Sequence, residues 1–218
     1  MNTTVTFPDG LALLRADNVA EFNAIREKHP EWLPRLRGKD LRKIDLVRVN
    51  FKKLDLREAN LGEVNLLGAD LREAKLQGAN LRKAIMPTAK LQGVILTGVD
   101  LQDAILRASN FQGADLRYAN LDGVQLEDAN LRDVNFQNAT LRQADFRRAD
   151  LLRAFFCGAN LQGAYFQRAK LQGVKFQGAD LRDATFEDTD LREAQIVKGL
   201  PVEVLHRMSE EIQFILKH

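Results

Sequence analysis

The chain has 218 residues, of which 45 % are hydrophobic and 28 % charged, with a formal net charge of +2. That length suits one domain, and so balanced a charge neither demands nor excludes a nucleic-acid partner. No stretch approaches the roughly 18 apolar residues of a membrane span, so no membrane partner is expected, and Cys157 stands alone, which excludes an internal disulfide.

A solitary cysteine suits a reducing compartment. The opening residues MNTTVTFPDG lack the basic flank and apolar run of a secretory leader. A cytoplasmic location is therefore expected.

Residues 1–36 show no repeat. Thr3 to Phe7 alternates polar with apolar, and Pro8-Asp9-Gly10 reads as a turn. Leu11 to Leu14 fits one helical turn. Asn18 and Glu21 have capping-box spacing, and Val19, Phe22 and Ile25 then share a helical face that ends before Pro30. This helix is read as a cap over the open end of the repeat region, with a partner-docking helix as the alternative.

Residues 37–198 obey one rule: every fifth residue is large and apolar. The run begins Leu41, Leu46, Phe51, Leu56 and Leu61 and closes with Leu181, Phe186, Leu191 and Ile196. Leu36, with Gly38 two after it, is a first imperfect unit. About 32 units succeed it without a slip of register, and such repetition outranks every other signal. An α-helix turns about 100° per residue, so this spacing would scatter the anchors around it. A flat strand would send them to alternate faces. The chain must bend once per unit, so that each anchor and the small residue two before it, as in Ala59-Asn60-Leu61, face a common axis. The other three positions point outward. Glycine recurs two after the anchor, as at Gly68, Gly78 and Gly93, which suits a turn with positive φ. Glu73 and Asp133 at the same position tolerate such a turn less well, which leaves the turn type open.

The units Ala59-Asn60-Leu61, Ala69-Asp70-Leu71, Ala79-Asn80-Leu81 and Ala179-Asp180-Leu181 resemble the pentapeptide-repeat family, whose unit is A(D/N)LXX. The resemblance implies an all-β solenoid: a right-handed quadrilateral β-helix with four units to a coil, about eight coils, and short helical caps at both ends. At the usual strand spacing the rod would be about 38 Å long. The stretch Phe22-Asn23-Ala24-Ile25-Arg26 is similar to a helix that precedes the repeats in some members.

Stacking at a period of twenty is testable in the residues themselves. It lays Glu127-Asp128 beside Arg147-Arg148, with Arg107 on the far side of Glu127. It gives one face leucine at every anchor from Leu41 to Leu181. It collects phenylalanine late on two others, as Phe136, Phe156, Phe176 and as Phe146, Phe166, Phe186. Leu121 is a mid-rod anchor. Asp122, one residue on, points outward and is expected to matter little to stability.

After Ile196 the pattern stops at Gly199-Leu200-Pro201. Residues 199–218 read as a C-terminal helical cap, with Leu205, Met208, Ile212 and Ile215 on one face and Phe214 elsewhere. Those five residues are equally candidates for a homodimer contact, which the family often makes at this end.

Nothing points to catalysis. His29, His206 and His218 lie outside the repeats, and no His/Cys cluster has metal-ligand spacing. The carboxylates occupy outward positions of a convex rod. No cofactor and no metal are expected. Two surface features stand out. One is basic, in the first coils and again at Arg147 and Arg148. The other is apolar: Leu67, Ile85, Ile95, Ile105, Phe155 and Tyr165 at outward sites, where the family places Asp or Asn. Ile85 and Ile105 should touch, and Phe155 and Tyr165 are read as lying on adjacent faces. Such residues mark a binding surface unless a loop or the N-terminal helix covers them.

The sequence therefore points to a non-catalytic protein–protein interaction scaffold with a partner of unknown identity. The alternative, borrowed from the fluoroquinolone-resistance branch, is a DNA-mimicking modulator of DNA gyrase. Mimicry needs a strongly negative rod, which this composition does not supply. Direct nucleic-acid binding is disfavoured because no aromatics interleave the basic residues.

Overall fold

The computed structural model describes residues 6–189 together with 191, 192 and 194. The expected C-terminal cap, with Leu205, Met208, Ile212, Phe214 and Ile215, lies outside the described residues, as does the last anchor, Ile196.

Two short helices come first. Helix α1 spans Gly10–Arg15 and α2 spans Val19–Lys28. Pro8-Asp9-Gly10 is not a free turn: Asp9 is the N-cap of α1, and its carboxylate accepts from the Leu11 N–H at 3.0 Å. Asn18 caps α2 by accepting from the Glu21 N–H at 3.2 Å, and its amide donates to the Glu21 carboxylate at 2.6 Å. Phe22 is fully buried. Its ring meets Trp32 at 5.2 Å and the edge of Phe51, in the first coil, at 5.9 Å.

From Asp40 onward the chain winds into a coil. The residue before each anchor forms a parallel bridge with the residue twenty further on, from Asp40↔Asn60 to Tyr165↔Thr185. Twenty residues per turn and five per unit give four faces. We number them in chain order: the first holds Leu41 and Leu61, the second Leu46 and Leu66, the third Phe51 and Leu71, the fourth Leu56 and Leu76. The backbone bonds repeat with the register. Leu61 N–H donates to the Asn80 carbonyl at 2.8 Å, and Asn80 N–H donates back to Ala59 at 3.0 Å.

From Leu46 onward each corner is a tight turn closed by a bond from the small residue's N–H to the anchor's carbonyl, as in Ala69 to Leu66 at 3.0 Å. The second turn residue is left-handed at every unit from Gly38 to Asp188, while the first is not, which defines a type II turn. Glu73 at φ 59° and Asp133 at φ 57° adopt it like their glycine counterparts. The fold therefore imposes the turn on residues that disfavour it, at a cost of roughly 1–2 kcal/mol each. The gain is a continuous core. Anchors and small residues from Leu36 to Leu191 are almost wholly buried in one cluster. Where a small inward position is polar, its hydroxyl turns back on the corner: Ser109 Oγ donates to the Leu106 carbonyl at 2.5 Å.

The late phenylalanines form two columns. Phe136 and Phe156 lie parallel with centroids 4.8 Å apart, as do Phe146 and Phe166 at 5.0 Å, which is the rise of one coil. The columns meet edge to face across the core, Phe146 to Phe156 at 5.7 Å.

Candidate protein-docking face

A coil of this kind puts the residues on either side of each anchor on the outer wall. The residue before the anchor is most often Asp or Asn and the one after it most often Arg or Gln. The carboxylate or amide accepts from the N–H two residues on, as Asp70 does from Arg72 at 3.2 Å. Where an aspartate is followed two residues on by arginine the pair closes into a fork. Arg42 donates to Asp40 at 3.0 and 2.8 Å, and Arg57 to Asp55 at 2.8 and 2.5 Å. These bonds pull the Asp40 and Asp55 carboxyls down to about 2. Arg117, Arg148, Arg153 and Arg182 lower Asp115, Asp128, Asp133 and Asp180 in the same way.

Pairs also run between coils. Glu127 is held between Arg107 at 2.7 Å and Arg147 at 2.5 Å, and Arg147 also reaches Asp145 at 2.6 Å. Arg148 pairs with Asp128 at 2.7 Å. Arg147 and Arg148 are thus both engaged within the rod. Asp122 is not the inert outward residue its position suggests. It accepts from the Arg142 backbone N–H and from its guanidinium, each at 2.9 Å, across the coil gap.

The second face departs from this pattern. Ile85 and Ile105 are bridged partners, and Ile85 is 40 % exposed. Leu67, also 40 % exposed, lies at the corner beside them. Val47 and Pro87, twenty residues either side of Leu67, complete an apolar stripe and are half-buried. Below it are Asp45 and Asn65, and above it the Arg107–Glu127–Arg147 ladder. Helix α2 bonds to the same corner at Arg48, the neighbour of Val47 at the lower end of the stripe, and to the third face at Asn50 and Lys52.

The other apolar outward residues do not join it. Tyr165 shares the second face but sits between Asp145 and Thr185. Ile95 lies on the fourth face between Lys75 and Asp115. Phe155 is also on the fourth face, half-buried, with the Lys175 ammonium 5.0 Å from its ring centre. Phe155 and Tyr165 therefore lie on opposite faces, not adjacent ones, because two units of five turn the chain through half a coil. Val47 and Pro87 do not stand out by residue type, although stacking residues twenty apart at the corner position finds them. Among the described residues no group of His, Cys, Asp and Glu could hold a metal ion, and no helix is long and apolar enough to cross a membrane.

The repeat, the twenty-residue coil and the wall of Asp/Asn ladders define a class of repeat protein. The sequence matches the family described as Pentapeptide repeats over residues 35–62, 50–86, 88–123, 109–148, 125–163, 141–178 and 159–196. The chain belongs to the pentapeptide-repeat family. No curated protein matches it. Similar solved structures include QnrB1, a plasmid-mediated fluoroquinolone resistance protein, at 18 % identity and a TM-score of 0.49, covering 75 % of this chain and 89 % of that one. HetL, a pentapeptide repeat protein involved in heterocyst differentiation regulation from Nostoc sp. Strain PCC 7120, is 24 % identical at a TM-score of 0.33, covering 79 % and 93 %. Rfr23 from the cyanobacterium Cyanothece 51142 is 32 % identical at a TM-score of 0.22, covering 45 % of this chain and 60 % of that one.

Proposed function

We propose that this protein is a non-catalytic cytoplasmic scaffold that binds a protein partner through the second face of its coil. The observation that carries the reading is the bridged pair Ile85 and Ile105 with Leu67 beside it. These side chains point away from the core, so folding does not require them. Ile85 and Ile105 stand at the position where many units of the wall carry Asp or Asn, and Leu67 at the one where many carry Arg or Gln. An exposed apolar patch rimmed by charge is the ordinary signature of a protein contact. In this reading the segment before the first coil, with helices α1 and α2, closes one end of a right-handed coil.

Polyanion mimicry is the weaker alternative. A DNA mimic needs carboxylates presented to a basic partner. Here Asp40, Asp55, Asp115 and Asp180 are each forked by the arginine two residues on. A gyrase supercoiling assay with and without quinolone, run across a range of salt, separates the two. The scaffold reading expects no inhibition and no drug protection. Either effect at around 1 µM protein, weakening as salt rises, would replace it with mimicry.

A further inference from the structure

We infer that a groove at the N-terminal end of the rod is a second docking site, one that takes an acidic peptide segment carrying an apolar side chain. The inference rests on the scaffold reading and adds the chemistry of the partner. A convex rod offers few concavities. This one forms where the extended stretch before the first coil meets the third and fourth faces. It encloses about 580 Å³, room for a few side chains and too little for a duplex.

The stretch alternates. Trp32, Pro34 and Leu36 are buried, while Leu33, Arg35 and Arg37 face out. Leu33 is 56 % exposed. It lines the groove together with Arg35, Arg37, Lys39, Lys53 and Lys75. The groove also holds Asp55 and Glu58, but both are already neutralised, Asp55 by Arg57 at 2.5 Å and Glu58 by Arg37 at 2.6 Å. Lys53 reaches Glu73 only at 3.7 Å. Arg35, Lys39 and Lys75 have no acidic partner among the described residues. The result is a concave surface with several uncommitted cations around one exposed leucine. Its complement is a chain of carboxylates spaced to leave one aliphatic residue for Leu33. Charge complementarity sets encounter and register, and the apolar contact adds hold. A single-stranded nucleic acid fits less well, since no aromatic side chain lines the groove for a base to stack on.

The test is fluorescence anisotropy on the full chain, using a short fluorescein-labelled peptide of Glu-Glu-Leu repeats. An all-Glu peptide and an oligothymidylate of matched charge serve as comparisons. The Glu-Glu-Leu peptide should bind most tightly and weaken with added salt. Lys39→Glu with Lys75→Glu should loosen it by about tenfold or more, as expected for reversing two rim contacts. Leu33→Ser should erase its advantage over the all-Glu peptide. All three side chains are exposed, and unchanged thermal melts would show the variants folded. Ile85→Asp with Ile105→Asp should bind the peptide like the parent. Failure of the peptide to bind, equal or tighter binding of the oligothymidylate, or indifference to the Lys39 and Lys75 changes would each overturn the inference. Capture of a partner through Ile85 and Ile105 is measured separately. If that persists while the peptide fails, only the groove is refuted; if both fail, the scaffold reading falls too.

Discussion

Asn23 on α2 takes the place of a neighbouring strand for Asn50 in the first coil. Its Oδ1 accepts from the Asn50 backbone N–H at 2.7 Å, and its Nδ2 donates to the Arg48 carbonyl at 2.9 Å. In later coils the predecessor supplies the acceptor for this N–H, as Val49 does for Asp70 at 2.9 Å; the first coil has no predecessor. Arg26, one helical turn on and almost buried, extends the device by donating to the Lys52 carbonyl at 2.5 Å, to Pro30 at 3.1 Å and to Trp32. Burial lowers its guanidinium pKa from the usual value. One amide and one guanidinium thus satisfy the part of that edge that lies on the third face.

Asn23→Ala should therefore destabilise the protein by about 1–3 kcal/mol, since it orphans a backbone donor and acceptor together. Asn23→Asp retains the acceptor and loses the donor, so it should fall between. Urea denaturation of the three proteins gives the order. A silent Asn23→Ala would show that water replaces the amide without loss.

The uniform type II corner makes a second prediction. Thr88 is β-branched yet sits at φ 58°, where such residues are rare. Thr88→Gly should raise stability by about 0.5–1 kcal/mol, the relief of left-handed strain exceeding the extra chain entropy. Gly93, at φ 63°, has open space where a Cβ would stand, with nothing within 4 Å of it, and should show the converse. Gly93→Ala should cost about 1 kcal/mol through backbone strain alone. Opposite signs in thermal melts would support the shared turn; matching signs would refute it.

A third prediction concerns the wall. Leu121→Ala removes a fully buried anchor and should cost about 2–5 kcal/mol. Asp122→Ala breaks the bonds to Arg142 and leaves that backbone N–H without its acceptor. It should cost about 1–2 kcal/mol, more than an unpaired outward residue would. Lys83→Ala, at an exposed position with no ion pair among the described residues, is the control and should change stability by less than about 0.5 kcal/mol.

The forked carboxylates fix the response to acid. Their folded pKa values lie below the ordinary 3.8, about 2 for Asp40 and Asp55. A depressed carboxylate contributes stability that is full above its unfolded pKa and is lost as pH falls through the folded value. Melting temperature should hold from neutral pH down to about 5 and then fall between about 4 and 2. Added salt should reduce the fall, because these pairs are exposed. A decline that begins near neutrality would contradict the assignment.

Much of this architecture is legible in the sequence because one period carries two messages. A spacing of five puts Leu121 inward, and a spacing of twenty stacks Glu127 between Arg107 and Arg147. The first follows from sterics; the second is what the resemblance to pentapeptide repeats implies, with the stacked charges as its check. The corner is not legible at Thr88 or Tyr118, where local preference opposes the turn and the stacked core overrides it. Asp122 is easily misjudged because its bonds run to the next coil's N–H, a partner that side-chain type does not announce. Arg26 is hidden for a similar reason: a basic residue late in a helix suits the dipole, and nothing in its spacing reveals three carbonyl partners. The docking face is half legible. Ile85 and Ile105 stand out as apolar residues at a position that is more often Asp or Asn, whereas Val47 and Pro87 occupy a corner column of looser composition.

Whether the second face binds a protein is open to direct measurement. Capture by the parent chain is compared with capture by Ile85→Asp with Ile105→Asp, using purified bait that melts at the same temperature in both forms. A matching pair of changes on the third face, Asn110→Asp with Asn130→Asp, controls for added negative charge. A protein held by the parent and by the third-face control should be lost from the Ile85 and Ile105 variant. Equal capture by the parent and that variant would contradict the assignment of the docking face.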